Sequence, residues 1–210
     1  FIGFRLMKKY LIFLFVFFSH FSAIANGVNL TCALDQNLCD RCPEYQTIFP
    51  INDFSENTSS LEIEADESEI VEDKYFLSGN VEVNSESLNL SANQVTVSSS
   101  DSSITASKNV KFQDSSYLIS SDSLFVAREN DELVATANNA NYQDYSKKLL
   151  GANGFTEIIE KTPTSVLLTN STYSLCPVNQ NDWLIDADQI KLDLEKNTGL
   201  ANNATLKFYG

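Results

Sequence analysis

Leu90-Ser91-Ala92-Asn93-Gln94-Val95-Thr96-Val97 decides the reading of this chain. Apolar or small side chains stand at 90 and 92, then at 95 and 97. Such alternation marks a half-buried strand. The frame slips by one place after Ala92, and in a strand that slip turns every later side chain to the other face. A bulge or bend at Asn93 restores the facing. Asn and Asp suit such a corner, because their side chains bond local backbone and tolerate turn conformations.

The same pattern recurs outward in both directions. It reads Ile63-Glu64-Ala65-Asp66-Glu67-Ser68-Glu69-Ile70, then Ile119-Ser120-Ser121-Asp122-Ser123-Leu124-Phe125-Val126. It continues as Leu150-Gly151-Ala152-Asn153-Gly154-Phe155 and Ile185-Asp186-Ala187-Asp188-Gln189-Ile190-Lys191-Leu192, with Ser68 the one polar exception. The Asp/Asn positions are 66, 93, 122, 153 and 188, so the steps are 27, 29, 31 and 35 residues. A fixed element with loops of varying length gives that spacing. Returning strands follow at Asn80-Val81-Glu82-Val83, Asn109-Val110-Lys111-Phe112, Asn141-Tyr142 and Asn203-Ala204-Thr205-Leu206-Lys207-Phe208. Ala137-Asn138-Asn139-Ala140 and Ala201-Asn202-Asn203-Ala204 are identical. Polar stretches such as 98–103, 129–132 and 195–199 read as turns. No run of ten or more residues carries a helical period.

These features predict an all-β domain over 61–210: a stack of bent antiparallel two-strand rungs, about five repeats. Its inner face takes Ile63, Val81, Val83, Leu90, Val95, Val97, Val110, Phe112, Leu124, Val126, Phe155, Ile185, Ile190, Leu192, Leu206 and Phe208. In a solenoid such a face is simply core, each rung covering the next. If the rungs leave a groove, its apolar lining must be filled, because large exposed apolar patches mark binding sites. Acyl chains would fill it at roughly 0.8 kcal/mol per buried methylene. The sequence leaves both readings open.

The N-terminus reads as an address. Six residues precede Met7; then come Lys8-Lys9, an apolar run from Tyr10 to Phe18, and Ala23-Ile24-Ala25. A basic start, a short hydrophobic core and an A-x-A site make a secretory signal over 1–25, too short to span a bilayer. Residues 26–60 lack a sustained period and form a cysteine-containing arm. Loss of the signal removes Arg5, Lys8 and Lys9 and no acid, taking the net charge from −14 to −17. An acidic surface disfavours nucleic acid as a partner. The one histidine, His20, lies in the signal. That excludes histidine-based catalysis and histidine-ligated metals from the remainder. The Asp/Asn column is better explained by corner chemistry than by the clustered carboxylates of a carbohydrate-cleaving enzyme. No catalytic residue, metal site or cofactor is expected. Cys32, Cys39, Cys42 and Cys176, in an exported chain, read first as disulfide cysteines whose pairing stays open.

The repeat, together with Ser174-Leu175-Cys176-Pro177-Val178-Asn179-Gln180-Asn181-Asp182-Trp183, resembles the OstA-type β-jellyroll of the lipopolysaccharide-transport proteins. A cysteine, a polar loop and a tryptophan opening the last strand are similar to the end of the periplasmic domain in the LptD (organic-solvent-tolerance) family. The resemblance covers about 61–210. It implies a periplasmic domain associated with the outer membrane that binds lipopolysaccharide through an apolar groove and is not an enzyme. It implies docking to a periplasmic bridge protein of the same fold; the candidate edge is Ile63 to Ile70 or the strand at Val81, with Glu62, Glu64, Glu67 and Glu69 as simple edge protection the competing reading. It also implies a following barrel with a lipoprotein plug, with Cys176 and one of the arm cysteines pairing to the barrel. The competing expectation is a structural or adhesive surface β-solenoid with a closed core.

Overall fold

The computed structural model describes residues 46–54, 61–130, 132–146, 151–178 and 182–208. The expected signal and the arm cysteines Cys32, Cys39 and Cys42 lie outside the described residues. Among the described residues twelve strands follow one another: β1 (Glu62–Glu64), β2 (Glu67–Val71), β3 (Lys74–Asn84), β4 (Leu88–Ser98), β5 (Ser103–Asp114), β6 (Tyr117–Glu129), β7 (Glu132–Asp144), β8 (Asn153–Lys161), β9 (Ser165–Tyr173), β10 (Trp183–Asp193), β11 (Thr198–Asn202) and β12 (Thr205–Phe208). They form one antiparallel meander in the order β1-β3-β4-β5-β6-β7-β8-β9-β10-β11. β2 also pairs with β3, and β12 with β10. Each end of the sheet is therefore one strand broken at a corner, at Asp66 and at Asn203. The expected all-β class of bent, antiparallel rungs is what the chain adopts.

Five corners bend the sheet, and one device makes them all. Asn80, Asn109, Asn139, Asn170 and Asn203 have φ of 45°, 56°, 50°, 46° and 51°. Asparagine enters this left-handed region more readily than other residues with a β-carbon. Each donates its side-chain amide across to the neighbouring strand. The acceptors are Asp66 (2.9 Å), Asn93 (2.7 Å), Asp122 (3.0 Å), Glu157 (2.7 Å) and Asp188 (2.7 Å). Strand register shifts at these places, between Ser78 and Val81, Ser91 and Gln94, and Ser107 and Val110.

The fourth corner is where the sequence reading is corrected. Its acceptor is Glu157, not Asn153, and its donor is Asn170; at the third corner the returning asparagine is Asn139, not Asn141. With the frame moved four residues, Thr156 and Ile159 point inward and are 0 % exposed. Phe155, expected on the inner face, is 42 % exposed and stands outward. Gly154 permits the close approach behind it: a β-carbon there would lie 2.0 Å from the Thr172 carbonyl oxygen. Ile63, Leu206 and Phe208 are also exposed, because they sit on edge strands that have a neighbour on one side only.

The bend divides the sheet into two halves that face each other. One inward row runs Leu77, Val95, Ala106, Leu124, Ala137, Ile159, Leu168 and Ile190 as successive partners on β3 to β10. On the other half Val83, Leu90, Phe112, Ile119 and Tyr142 are successive partners. The two rows pack into one buried cluster, with Ala106 and Ala137 flanking Leu124 in the first. Burial of a Leu, Ile or Phe in such a place stabilises by roughly 1.5–3 kcal/mol each.

Part of the arm is ordered against the outside of the second half. Gln113 accepts from the Asn52 amide (2.9 Å) and donates to its carbonyl (2.8 Å). Gln143 accepts from the Ile48 amide (3.0 Å) and donates to the Gln46 carbonyl (2.9 Å). Asn89 donates to the Asp53 carbonyl (3.0 Å). The three amides satisfy backbone that pairs with no strand.

Candidate functional site

The strand ends form two lips where the halves meet. The lip of the first half carries Val97, Ile104, Val126, Ala135, Lys161, Val166 and Leu192 as successive partners on β4 to β10. The opposite lip carries Leu88, Asp114, Tyr117 and Asp144, all buried. Toward the β1/β2 edge the lips stand apart around a cavity of about 430 Å³, lined among others by Leu61, Leu88, Val97, Ile104, Val126 and Leu133. That volume lies within the roughly 300–1,000 Å³ of ordinary ligand pockets. Its rim is polar, with Ser98, Ser99, Ser102 and Ser103 on one side. Asp101 beside them is held below the usual carboxylate range by hydrogen bonds from Ser103 and Ser98. The Ser87 hydroxyl, also at the cavity, is buried without a hydrogen-bond partner.

One turn further along the stack the lips are clasped. Lys161 Nζ lies 2.6 Å from Asp114 Oδ2, with side chains 9 % and 7 % exposed. The ammonium also stands 5.5 Å from the centre of the Tyr117 ring. Asp114 Oδ1 accepts from the amides of Ser116 and Tyr117, both at 2.8 Å. Behind the clasp three tyrosines pack inward. Burial raises the Tyr117 hydroxyl far above its ordinary range, and Asp144, Tyr173 and Asp114 add to the effect. Tyr142, which donates to the Thr172 carbonyl at 2.8 Å, is raised by burial and by its neighbours Tyr117 and Tyr173.

The residues expected to line a groove divide between cavity and core. Val97 and Val126 line the cavity. Val81, Val83, Leu90, Val95, Val110, Phe112, Leu124 and Ile190 are buried between the halves, and Leu192 is half-buried. Leu88, Ile104 and Leu133 escaped the sequence reading, because the first two flank turns and Leu133 opens a strand. Lys161 escaped it too; nothing in the sequence marks it as facing inward. Cys176 is buried, and its carbonyl accepts from Asn153 at 2.6 Å. Ser174 ties this loop to Trp183 through a 2.7 Å bond to the tryptophan carbonyl. Ile63 and Ile70 lie exposed on β1 and β2, which among the described residues pair with β3 alone. No group of His, Cys, Asp and Glu suited to a metal ion occurs among the described residues.

Comparison with known proteins places this architecture. The sequence model for "LptA/(LptD N-terminal domain) LPS transport protein" matches residues 62–198. The LPS-assembly protein LptD of Acinetobacter baylyi is 30% identical over 132 residues, covering 62% of this chain and 16% of that protein. The LptD of Pseudoalteromonas atlantica is 23% identical over 175 residues, covering 82% of this chain and 22% of that protein. The chain thus spans under a quarter of the length of these relatives. The crystal structure of LptH, the LptA-homologous periplasmic component of the lipopolysaccharide transport device of Pseudomonas aeruginosa, superposes with a TM-score of 0.49 and 11% identity, covering 59% of this chain and 95% of that one. The family match runs from the first strand to the eleventh, across all five asparagine corners but for the last residue pair's donor, and the chain belongs to the LptA/LptD N-terminal family of lipopolysaccharide transport proteins.

Proposed function

We propose that this chain is a carrier domain for lipopolysaccharide in the periplasm, holding acyl chains between the two halves of its bent sheet. The observation that carries the reading is the apolar interior that opens at the lips into the cavity at Val97, Ile104 and Val126. Affinity comes from burying methylenes there, since a chain of net charge −14 is a poor general binder of phosphorylated head groups. The lipid is not chemically altered. The exposed β1/β2 edge fits docking to a periplasmic bridge protein of the same fold, because unpaired strand backbone templates pairing with another strand. Glu62, Glu64, Glu67 and Glu69 on that edge discourage indiscriminate pairing. The domain would then deliver to an outer-membrane barrel with its lipoprotein plug. In this reading 1–25 is the export signal, and Cys32, Cys39, Cys42 and Cys176 supply disulfides.

The test is photocrosslinking to lipopolysaccharide in cells. A photoreactive residue is placed singly at inward Val97, Phe112 or Val126 and at outward Thr96 or Lys111. Adducts confined to the inward set support the reading. Adducts at neither set, from exported and folded protein, leave a sealed core and favour a structural solenoid.

A further inference from the structure

Among the described residues Lys161 is the one cation in a lip row that is otherwise apolar from Val97 to Leu192, and its partner Asp114 belongs to the opposite half. β5 and β8 are not neighbours in the sheet, so this ion pair joins the halves through side chains alone. We propose that Asp114–Lys161 is a gate across the mouth of the interior, separating the cavity at Val97 from the stretch beyond it at Ile190. The proposal deepens the carrier reading and rests on it.

The chemistry suits a gate better than a rivet. A buried ion pair gains attraction but gives up hydration of both ions, so its net contribution to stability is small. Both side chains lie at the lips and remain slightly exposed. When the lips part, water reaches both ions together and repays what their separation costs. An apolar clasp would instead expose greasy surface on opening, with no such return. Tyr117 sets the closed geometry, its ring beside the ammonium and its amide on the Asp114 carboxylate. The amides of Ser116 and Tyr117 keep that carboxylate partly satisfied when Lys161 leaves. In the lip row Lys161 stands between Val97 and the β10 end that carries Ile190 and Leu192, so an acyl chain moving along the lips from Val97 toward that strand passes this pair.

The experiment uses the whole chain in three forms: natural, the apolar double variant Asp114→Leu/Lys161→Met, and Lys161→Arg, which keeps both charges and the two amide bonds to Asp114. The double variant removes both charges and Lys161→Arg keeps both, so neither leaves a lone buried charge. Probes on Ser115 and Thr164, exposed beside the clasp, report the distance between the lips without any lipid. Photoreactive residues at Val97 or Ile190 report arrival of purified lipopolysaccharide on either side. The expected result is a narrower spread of lip distances in the apolar variant, because opening it exposes apolar surface to water. Adducts at Ile190 should form several-fold more slowly there than in the natural chain, with adducts at Val97 unchanged. The Lys161→Arg chain should fall near the natural chain on both readouts. Unchanged lip distances together with an unchanged Ile190 rate would overturn the gate while leaving the carrier reading standing. Absence of adducts at both positions in every form would overturn the carrier reading, and the gate with it.

Discussion

At the scale of single residues, two polar features of the interior make measurable differences: the ion pair at the lips and the buried tyrosines. Lys161→Met alone leaves the Asp114 carboxylate buried without its counter-ion. That variant should lose roughly 3–5 kcal/mol in denaturant unfolding, whereas replacing both partners by apolar residues should cost far less. Equal losses in the single and double variants would mean that packing, not charge, dominates at the clasp. The tyrosines behave differently. Tyr117 and Tyr142 are raised above their ordinary value of 10.0 in the folded chain. The unfolded chain therefore gives up these protons first as pH rises. Their contribution to stability is complete below pH 10 and is lost above it, at up to about 1.4 kcal/mol per tyrosine per pH unit. Urea midpoints should be insensitive to this pair up to about pH 9.5 and fall steeply above pH 10. Tyr117→Phe should flatten that fall, and an unchanged slope in this variant would show the hydroxyl to be solvated.

At the scale of elements, the repeating unit is the asparagine corner. Asn139 supplies both a left-handed backbone at φ 50° and a 3.0 Å bond to Asp122. Asn139→Gly keeps the first and loses the second. Asn139→Ala loses both and should be the more destabilising by about 1–2 kcal/mol, the cost of that conformation for an ordinary residue. Thermal unfolding of the two variants checks the order; equal losses would place the value of the corner in its hydrogen bond. Four of the five acceptors, Asp66, Asn93, Asp122 and Asp188, were legible in the sequence because a strand period of two must slip at a bend. Glu157 was not, because Ala152-Asn153 imitates the pattern four residues early. The identity of Ala137-Asn138-Asn139-Ala140 with Ala201-Asn202-Asn203-Ala204 already contained the right frame: both asparagine pairs end on the left-handed residue. Alternation finds a strand's two faces but not what lies across from them. The facing of Lys161 against Asp114, and the docking of Gln46 to Asp53 on the amides of Asn89, Gln113 and Gln143, depend on contacts between elements far apart in sequence.

At the scale of the whole molecule, the bent meander does two things with one surface. It buries a continuous apolar face between its halves, and toward the β1/β2 edge it leaves a cavity at the lips. The first makes a core large enough to hold twelve strands together. The second is what a lipid carrier needs and a closed solenoid lacks. The most direct measurement of that difference is methyl NMR of the whole chain titrated with purified lipopolysaccharide. Inward methyls at Val97, Ile104 and Val126 can be compared with outward methyls at Ile158 and Leu200. The carrier account predicts saturable shifts confined to the inward set. Shifts confined to the outward set, or none on folded protein, would contradict it and leave the interior a core and nothing more.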